Sequence, residues 1–252
     1  MTALRSAGAA LVALTLVACG KPAEQTFQGW VEADFIYVSP DESGRLVKLA
    51  VREGDRVVQG APLYELDEAL QQADLNQQQA QLVNAQQTFD RAQQLAKTGA
   101  GTQRDFDAAQ SALRVAQARL ATSQTRLARR KVASPVSGVI NQVYFREGET
   151  VGAERPVVSI LPPENVKVRF YVREAELPKI KIGEDVRVSC DGCKTDLTAK
   201  IYFISTTAEY TPPVIYSETE RAKLVFLVQA RPTQPDNLRV GQPVTVRLSG
   251  QP

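Results

Sequence analysis

The sequence contains no histidine. That absence removes Ser-His-Asp and Cys-His catalysis, histidine-ligated zinc and histidine-based pH sensing from anything this chain does alone. An excess of charge of one sign is also missing. Lys+Arg number 30 against Asp+Glu 28, a formal net charge of +2, which provides no broad footprint for a polyanion, so no nucleic-acid partner is expected. Cysteine is scarce, with 3 in the chain, and only one C-x-x-C pair forms among them; no metal site and no cofactor are implied. Beyond the first nineteen residues no apolar run is long enough for a transmembrane helix. The common enzyme designs fall together, and the chain is expected not to be an enzyme. At 252 residues it has room for two or three modest domains without a disulfide or metal staple.

The N-terminus indicates an exported protein. Arg5 supplies a positive start and Ala7 to Val17 an apolar stretch too short to span a bilayer, the pattern of a signal peptide over residues 1–18. Leu16-Val17-Ala18-Cys19 resembles the lipobox of bacterial lipoproteins, which implies that Cys19 is lipidated and becomes the first mature residue. Acylation of the new N-terminus as well would exceed the two hydrophobic signals that stable attachment requires. The plainer alternative is an ordinary signal peptide followed by a chance cysteine.

Compared with itself, the chain repeats. Ser39-Pro40 leads to Ser43-Gly44, Arg52-Glu53-Gly54 and Val57; Ser134-Pro135 leads to Ser137-Gly138, Arg146-Glu147-Gly148 and Val151, with the same Gly-to-Arg spacing in both copies. Around these anchors Val, Ile, Leu, Tyr and Phe read as short strands between tight turns. After a linker at 19–28, the first half is expected at 29–66 and the second at 132–161. Neither half is large enough for its own core, so the two are expected to pair into one sandwich.

Residues 67–131 between the copies contain no proline and are rich in Gln, Ala, Leu and Arg, all compatible with helix. Leu75, Leu82, Phe89 and Ala96 recur every seven residues, as do Phe106, Leu113, Leu120 and Leu127, the seam of a coiled coil. Ala85, Ala92, Ala109 and Ala116 follow three residues on as small packing positions. Gly99 and Gly101 mark the turn, Thr102 is a helix N-cap and Asp105 its capping-box partner. The run Arg126, Arg129, Arg130 and Lys131 suits the C-terminal end of a helix dipole and is expected to be solvated.

From 162 to 252 the pattern returns to strands, at 166–172, 186–189, 199–203, 224–228 and 244–248, with one short helix over Glu174–Lys179. Five or six strands with Gly and Pro turns predict a small antiparallel barrel. Within it Cys190-Asp191-Gly192-Cys193 is a two-residue turn flanked by cysteines. A local disulfide between Cys190 and Cys193 is expected in an oxidising compartment, with free thiols or a redox motif as alternatives.

Two half-motifs flanking a coiled-coil hairpin, followed by a barrel, resemble the HlyD-type periplasmic adaptors, also called membrane fusion proteins. The resemblance implies an α+β, mostly β fold: a lipoyl-like barrel-sandwich hybrid domain split by an antiparallel helical hairpin, then the barrel. It implies a periplasmic chain held to a membrane, the inner one favoured, through lipid on Cys19. It implies a ring of copies, commonly six, joining an inner-membrane transporter to a TolC-like outer-membrane channel. Ala208-Glu209-Tyr210-Thr211-Pro212-Pro213, then Thr219-Glu220-Arg221 and Lys223-Leu224-Val225-Phe226, is similar to adaptors of ABC-type exporters. At the hairpin tip, Arg91, Leu95 and Thr102 match the family's Arg, Leu and Ser positions for contact with the channel, with threonine in place of serine. A plainer reading has Leu95 closing the hairpin and Thr102 only capping a helix.

Two other functions start from the same features. A lipoyl or biotinyl carrier needs a lysine on the turn joining the halves, yet Tyr64-Glu65-Leu66-Asp67 runs into Glu68-Ala69-Leu70-Gln71, and from there no lysine appears until Lys97. A structural lipoprotein that merely self-associates would use the same hairpin.

Overall fold

The computed structural model describes residues 25–193, 197–210 and 224–248. Cys19 with its leader, and the stretch from Thr211 to Lys223 within the exporter-like motif, lie outside the described residues. In chain order the elements are β1 (Thr26–Ala33), β2 (Ile36–Val38), β3 (Gly44–Leu49), β4 (Arg56–Val57), β5 (Pro62–Leu66), α1 (Ala69–Lys97), α2 (Gln103–Ala128), β6 (Lys131–Ala133), β7 (Gly138–Val143), β8 (Thr150–Val151) and β9 (Val158–Leu161), followed by β10 (Val166–Arg173), β11 (Asp185–Ser189), β12 (Leu197–Tyr210), β13 (Leu224–Pro232) and β14 (Pro243–Leu248).

The repeat becomes a two-fold in the topology. One sheet runs β2-β9-β7-β4 and the other β6-β5-β3-β8; exchanging each strand for its counterpart in the other half (β2 for β6, β3 for β7, β4 for β8, β5 for β9) converts one order into the other. Each sheet therefore mixes both halves, and neither half has a complete sheet without its partner. The shared core between the sheets takes Leu46, Leu63, Tyr64 and Leu66 from the first half and Ile140, Val151, Val158 and Ile160 from the second.

The repeated Arg-Glu-Gly turn is what locks the halves. Glu53 accepts the backbone N–H of Val143 at 3.0 Å, and Glu147 accepts that of Leu49 at 2.8 Å. Gly54 N–H reaches Ile140 O at 2.8 Å while Gly148 N–H reaches Leu46 O at 2.7 Å. Each half thus satisfies strand-end groups of the other, groups that would be costly to leave unpaired on desolvation.

Five strands of the C-terminal region are joined by one from the N-terminus. The ring β1-β10-β13-β12-β11-β14 closes on itself, because β1 pairs antiparallel with both β10 and β14. This corrects the expected domain boundaries: residues 26–33 belong to the barrel rather than to the linker and the first sandwich half. The physical reason is the apolar face of β1, where Phe27 and Val31 point into the barrel core with Val168, Phe170, Val228 and Val246. The short helix expected after β10 is a 3-10 turn over Glu174–Lys179, with Pro178 inside it.

The hairpin helices are 29 and 26 residues long, about 44 and 39 Å at 1.5 Å per residue. Phe89 and Phe106 meet at 5.5 Å between ring centroids, and Ala109, Leu113 and Ala116 are buried along the expected seam. Toward the base the seam turns polar. Ser123, 2% exposed, donates to Asp74 at 2.7 Å, and Gln78 donates to the other Asp74 oxygen at 3.1 Å.

Candidate functional site

At the far end of the hairpin, α1 stops at Lys97 and the chain reverses through Thr98, Gly99, Ala100 and Gly101. Gly99 sits at φ 72°, a left-handed conformation that glycine takes without penalty. The N–H groups of Ala100 and Gly101 both reach Leu95 O at 3.0 Å. A side chain on Gly101 would meet the Leu95 Cβ at 2.9 Å, so the turn folds back tightly on Leu95. Thr102 caps α2: its hydroxyl accepts the Asp105 N–H at 3.1 Å and donates to the Asp105 carboxylate at 2.6 Å.

Three residues were expected at this tip, and they occupy different situations. Leu95 is 50% exposed, with the turn folded against its other side. Arg91, one turn earlier on the same face of α1, is exposed, and its guanidinium donates to Thr88 Oγ1 at 3.2 Å. Thr102 lies across the turn with its hydroxyl engaged in the cap. The tip thus presents an apolar side chain beside a guanidinium on a rigid, capped turn. Chemically, Leu95 supplies apolar area that is open to burial and Arg91 supplies directed donors.

The hairpin base shows what sequence reasoning missed. Arg130, expected in a solvated helix end, is only 5% exposed. Its Nη2 donates to Glu42 at 2.7 Å and its Nη1 to Ser43 O at 2.9 Å; with the Gln71 amide oxygen turned toward it, Nε donates to Gln71 at 3.1 Å. Around it Arg129 pairs with Asp41 at 2.8 Å, Arg126 with Glu42 at 3.6 Å and Lys131 with Glu68 at 3.2 Å. A cleft of about 450 Å³ opens here between the end of α2 and the Pro40–Glu42 turn. Every member of the expected solvated run has an acidic partner on the sandwich or at the start of α1. The signal available in the sequence was the Asp41-Glu42 pair in the first half-motif, absent from the second.

The β5–α1 junction, where a carrier domain would show its lysine, holds Asp67 instead. Its carboxylate accepts the Ala69 N–H at 3.0 Å and Arg45 at 2.8 Å, which together keep it below the usual carboxylate range, the backbone bond first and the guanidinium second. In the barrel, Cys190 and Cys193 pair across the Asp191–Gly192 turn with Cα atoms 5.2 Å apart. Gln242 approaches their sulfurs at 3.1 and 3.5 Å. Among the described residues no group of acidic or cysteine side chains is arranged to hold a metal ion, and no helix is long and apolar enough to cross a membrane.

Residues 35–161 match the family model described as the barrel-sandwich hybrid domain of RND MFP proteins. Among curated relatives, the UPF0194 membrane protein of Acidithiobacillus ferridurans is 30% identical over 120 residues, 47% of this chain and 36% of its own; the chain thus matches about a third of that relative's length. Among solved structures, the MacA-MexA chimera containing the Pseudomonas aeruginosa MexA α-hairpin domain superposes with a TM-score of 0.72 at 23% identity, covering 89% of this chain and 80% of the chimera. The membrane fusion protein Spr0693 of Streptococcus pneumoniae R6 gives a TM-score of 0.69 at 20% identity, covering 90% of this chain and all of that one. At these identities the two structures share the fold.

Proposed function

The chain belongs to the membrane fusion protein family through its barrel-sandwich hybrid domain, and from that premise we propose that it is a periplasmic adaptor in an efflux or secretion system. It links rather than catalyses. In this reading the hairpin tip docks on a TolC-like outer-membrane channel through Arg91, Leu95 and Thr102, and the barrel faces an inner-membrane transporter. Copies assemble as a ring, six in the family's common form, and lipid on Cys19 ties each to the inner membrane. The observation that carries the reading is the half-exposed Leu95 beside the exposed Arg91 at the end of a hairpin roughly 40 Å long.

An ABC-type exporter is the favoured transporter, on the motif that begins at Ala208-Glu209-Tyr210. The name of the matching family model, which refers to RND systems, favours a proton-driven partner as the second reading. Co-purification of the transporter with the full-length protein from membranes separates the two.

A photo-crosslinker in place of Lys97 tests the tip in cells. An adduct with an outer-membrane channel, identified by mass spectrometry, is expected with the wild-type tip and is expected to vanish in Arg91→Glu while thermal unfolding stays unchanged. An undiminished adduct in that variant removes the tip assignment. Intact mass of the mature chain checks the anchor: diacylglycerol on Cys19 is expected, whereas a lipoyl or biotinyl increment on a lysine would return the carrier reading.

A further inference from the structure

The sandwich contains two copies of one turn, and they differ where the hairpin meets them. In the second half Ser134-Pro135-Val136-Ser137-Gly138 is uncharged and short. In the first, Ser39-Pro40-Asp41-Glu42-Ser43-Gly44 is one residue longer and carries two carboxylates. The glycine that ends each turn also has a different task. A side chain at Gly138 would strike Leu161 O at 2.5 Å, so that glycine permits close strand approach; at Gly44 it would strike Arg130 Nη1 at 2.7 Å. Gly44 makes room for a guanidinium.

We propose that Arg130 is a positioning residue that clamps the hairpin to the sandwich and sets the direction in which the tip points. Its three nitrogens bind two separate pieces of chain, Gln71 at the start of α1 and Glu42 with the Ser43 carbonyl on the elongated turn, and its own backbone, following α2, makes a third. A buried guanidinium is costly unless each donor is met, so every change of hairpin angle must break at least one of these contacts. A small rotation at the base moves a tip roughly 40 Å away by several ångströms, enough to misplace Leu95 and Arg91 against a partner. The Arg129–Asp41 and Arg126–Glu42 pairs flank the clamp on the same side. Among the described residues the second copy of the turn holds no charged side chain that could do the same.

The role in docking rests on the adaptor reading; the clamp itself is measured without it. Nitroxides placed by Val58→Cys on the sandwich and Lys97→Cys at the tip report the hairpin direction in the full-length protein by double electron–electron resonance. A single narrow distance distribution is expected for the parent. In Arg130→Met and in Glu42→Gln the width is expected to at least double; Glu42 is on an exposed turn, so the second variant folds even if the first does not. Arg130→Lys, which keeps the charge but loses the fork, is expected to broaden it in between. Unchanged widths in Arg130→Met and Glu42→Gln overturn the clamp whatever happens to docking. In cells, the adduct from the crosslinker at Lys97 is expected to fall at least fivefold in Glu42→Gln although no tip residue has changed. Broadened distances with an undiminished adduct overturn the positioning role. A failure of the adaptor reading is separate, because it appears as no channel adduct in the parent protein.

Discussion

The sandwich is joined to its neighbours at two ends, and the joints are built differently. At the hairpin end a buried arginine with three partners is surrounded by the Arg129–Asp41, Arg126–Glu42, Lys131–Glu68 and Arg45–Asp67 pairs. At the barrel end the chain crosses twice, through Ala33–Phe35 and Pro162–Asn165, and the crossings hold each other: Asn165 Nδ2 donates to Asp34 O at 2.8 Å and Lys167 pairs with the Asp34 carboxylate at 2.9 Å. Between sandwich and barrel, Leu161 of β9 packs against the barrel core, and Arg56 pairs with Asp236 at 3.4 Å with side chains 75% and 60% exposed. An exposed pair of that kind contributes between nothing and about 1 kcal/mol, whereas hydrogen bonds to a buried charge are each stronger and fixed in direction. The hairpin joint is therefore organised around a buried charge, and the barrel joint around two chain crossings, one apolar contact and an exposed pair.

Substitutions at each joint break or sharpen this contrast. The largest effect is expected from Arg130→Met, which removes the guanidinium bonds to Glu42, the Ser43 carbonyl and Gln71 and should cost about 2 kcal/mol in chemical denaturation. A loss below about 0.5 kcal/mol would make the two joints equivalent. Glu147→Ala and Glu53→Ala come next. Each removes one carboxylate bond to a strand-end N–H, and each should cost about 1 kcal/mol by the same measurement. Equal losses would show that the two-fold extends to energetics, and unequal ones that the hairpin has broken it.

Acid should loosen the hairpin side. Asp67 is held below the usual carboxylate range by the Ala69 N–H and then by Arg45, and Asp74 by Ser123 and then by Gln78. A carboxyl whose folded pKa is depressed contributes stability above its unfolded value, and that contribution is lost as pH falls through the folded one. Far-ultraviolet dichroism followed downward from about pH 4 should show helix melting earlier in the parent relative to its own neutral state than in Asp74→Asn. A parallel pH course in both excludes Asp74 as the cause. Arg56→Ala at the barrel joint is the smallest, below about 0.5 kcal/mol, and a larger loss there would undo the contrast from the other side.

Much of the fold could be read directly. The repeat, the helical insert with its heptads, the N-cap at Thr102 and the cysteine-flanked turn all rest on local rules, periodicity and capping chemistry, that act within a few residues. The membership of β1 could not be read in that way. Alternating Phe27 and Val31 announce a strand with one buried face, but nothing in the alternation says which core it faces. Arg130 was misjudged because a basic helix end is ordinarily solvated, and its burial depends on an acidic turn almost ninety residues away in sequence. The Arg-Glu-Gly turns were visible as a repetition, while their meaning, each glutamate capping the opposite half, needed the two halves side by side.

The sequence by itself therefore determined the elements, their two-fold repetition and the length of the hairpin, since periodicity and turn chemistry are properties of neighbours along the chain. Only the tertiary structure decided which half satisfies which, where β1 goes and that the hairpin is rooted on a buried arginine. Those outcomes depend on desolvation, and whether a charge or a backbone N–H is desolvated is settled by segments that meet only when the chain has folded.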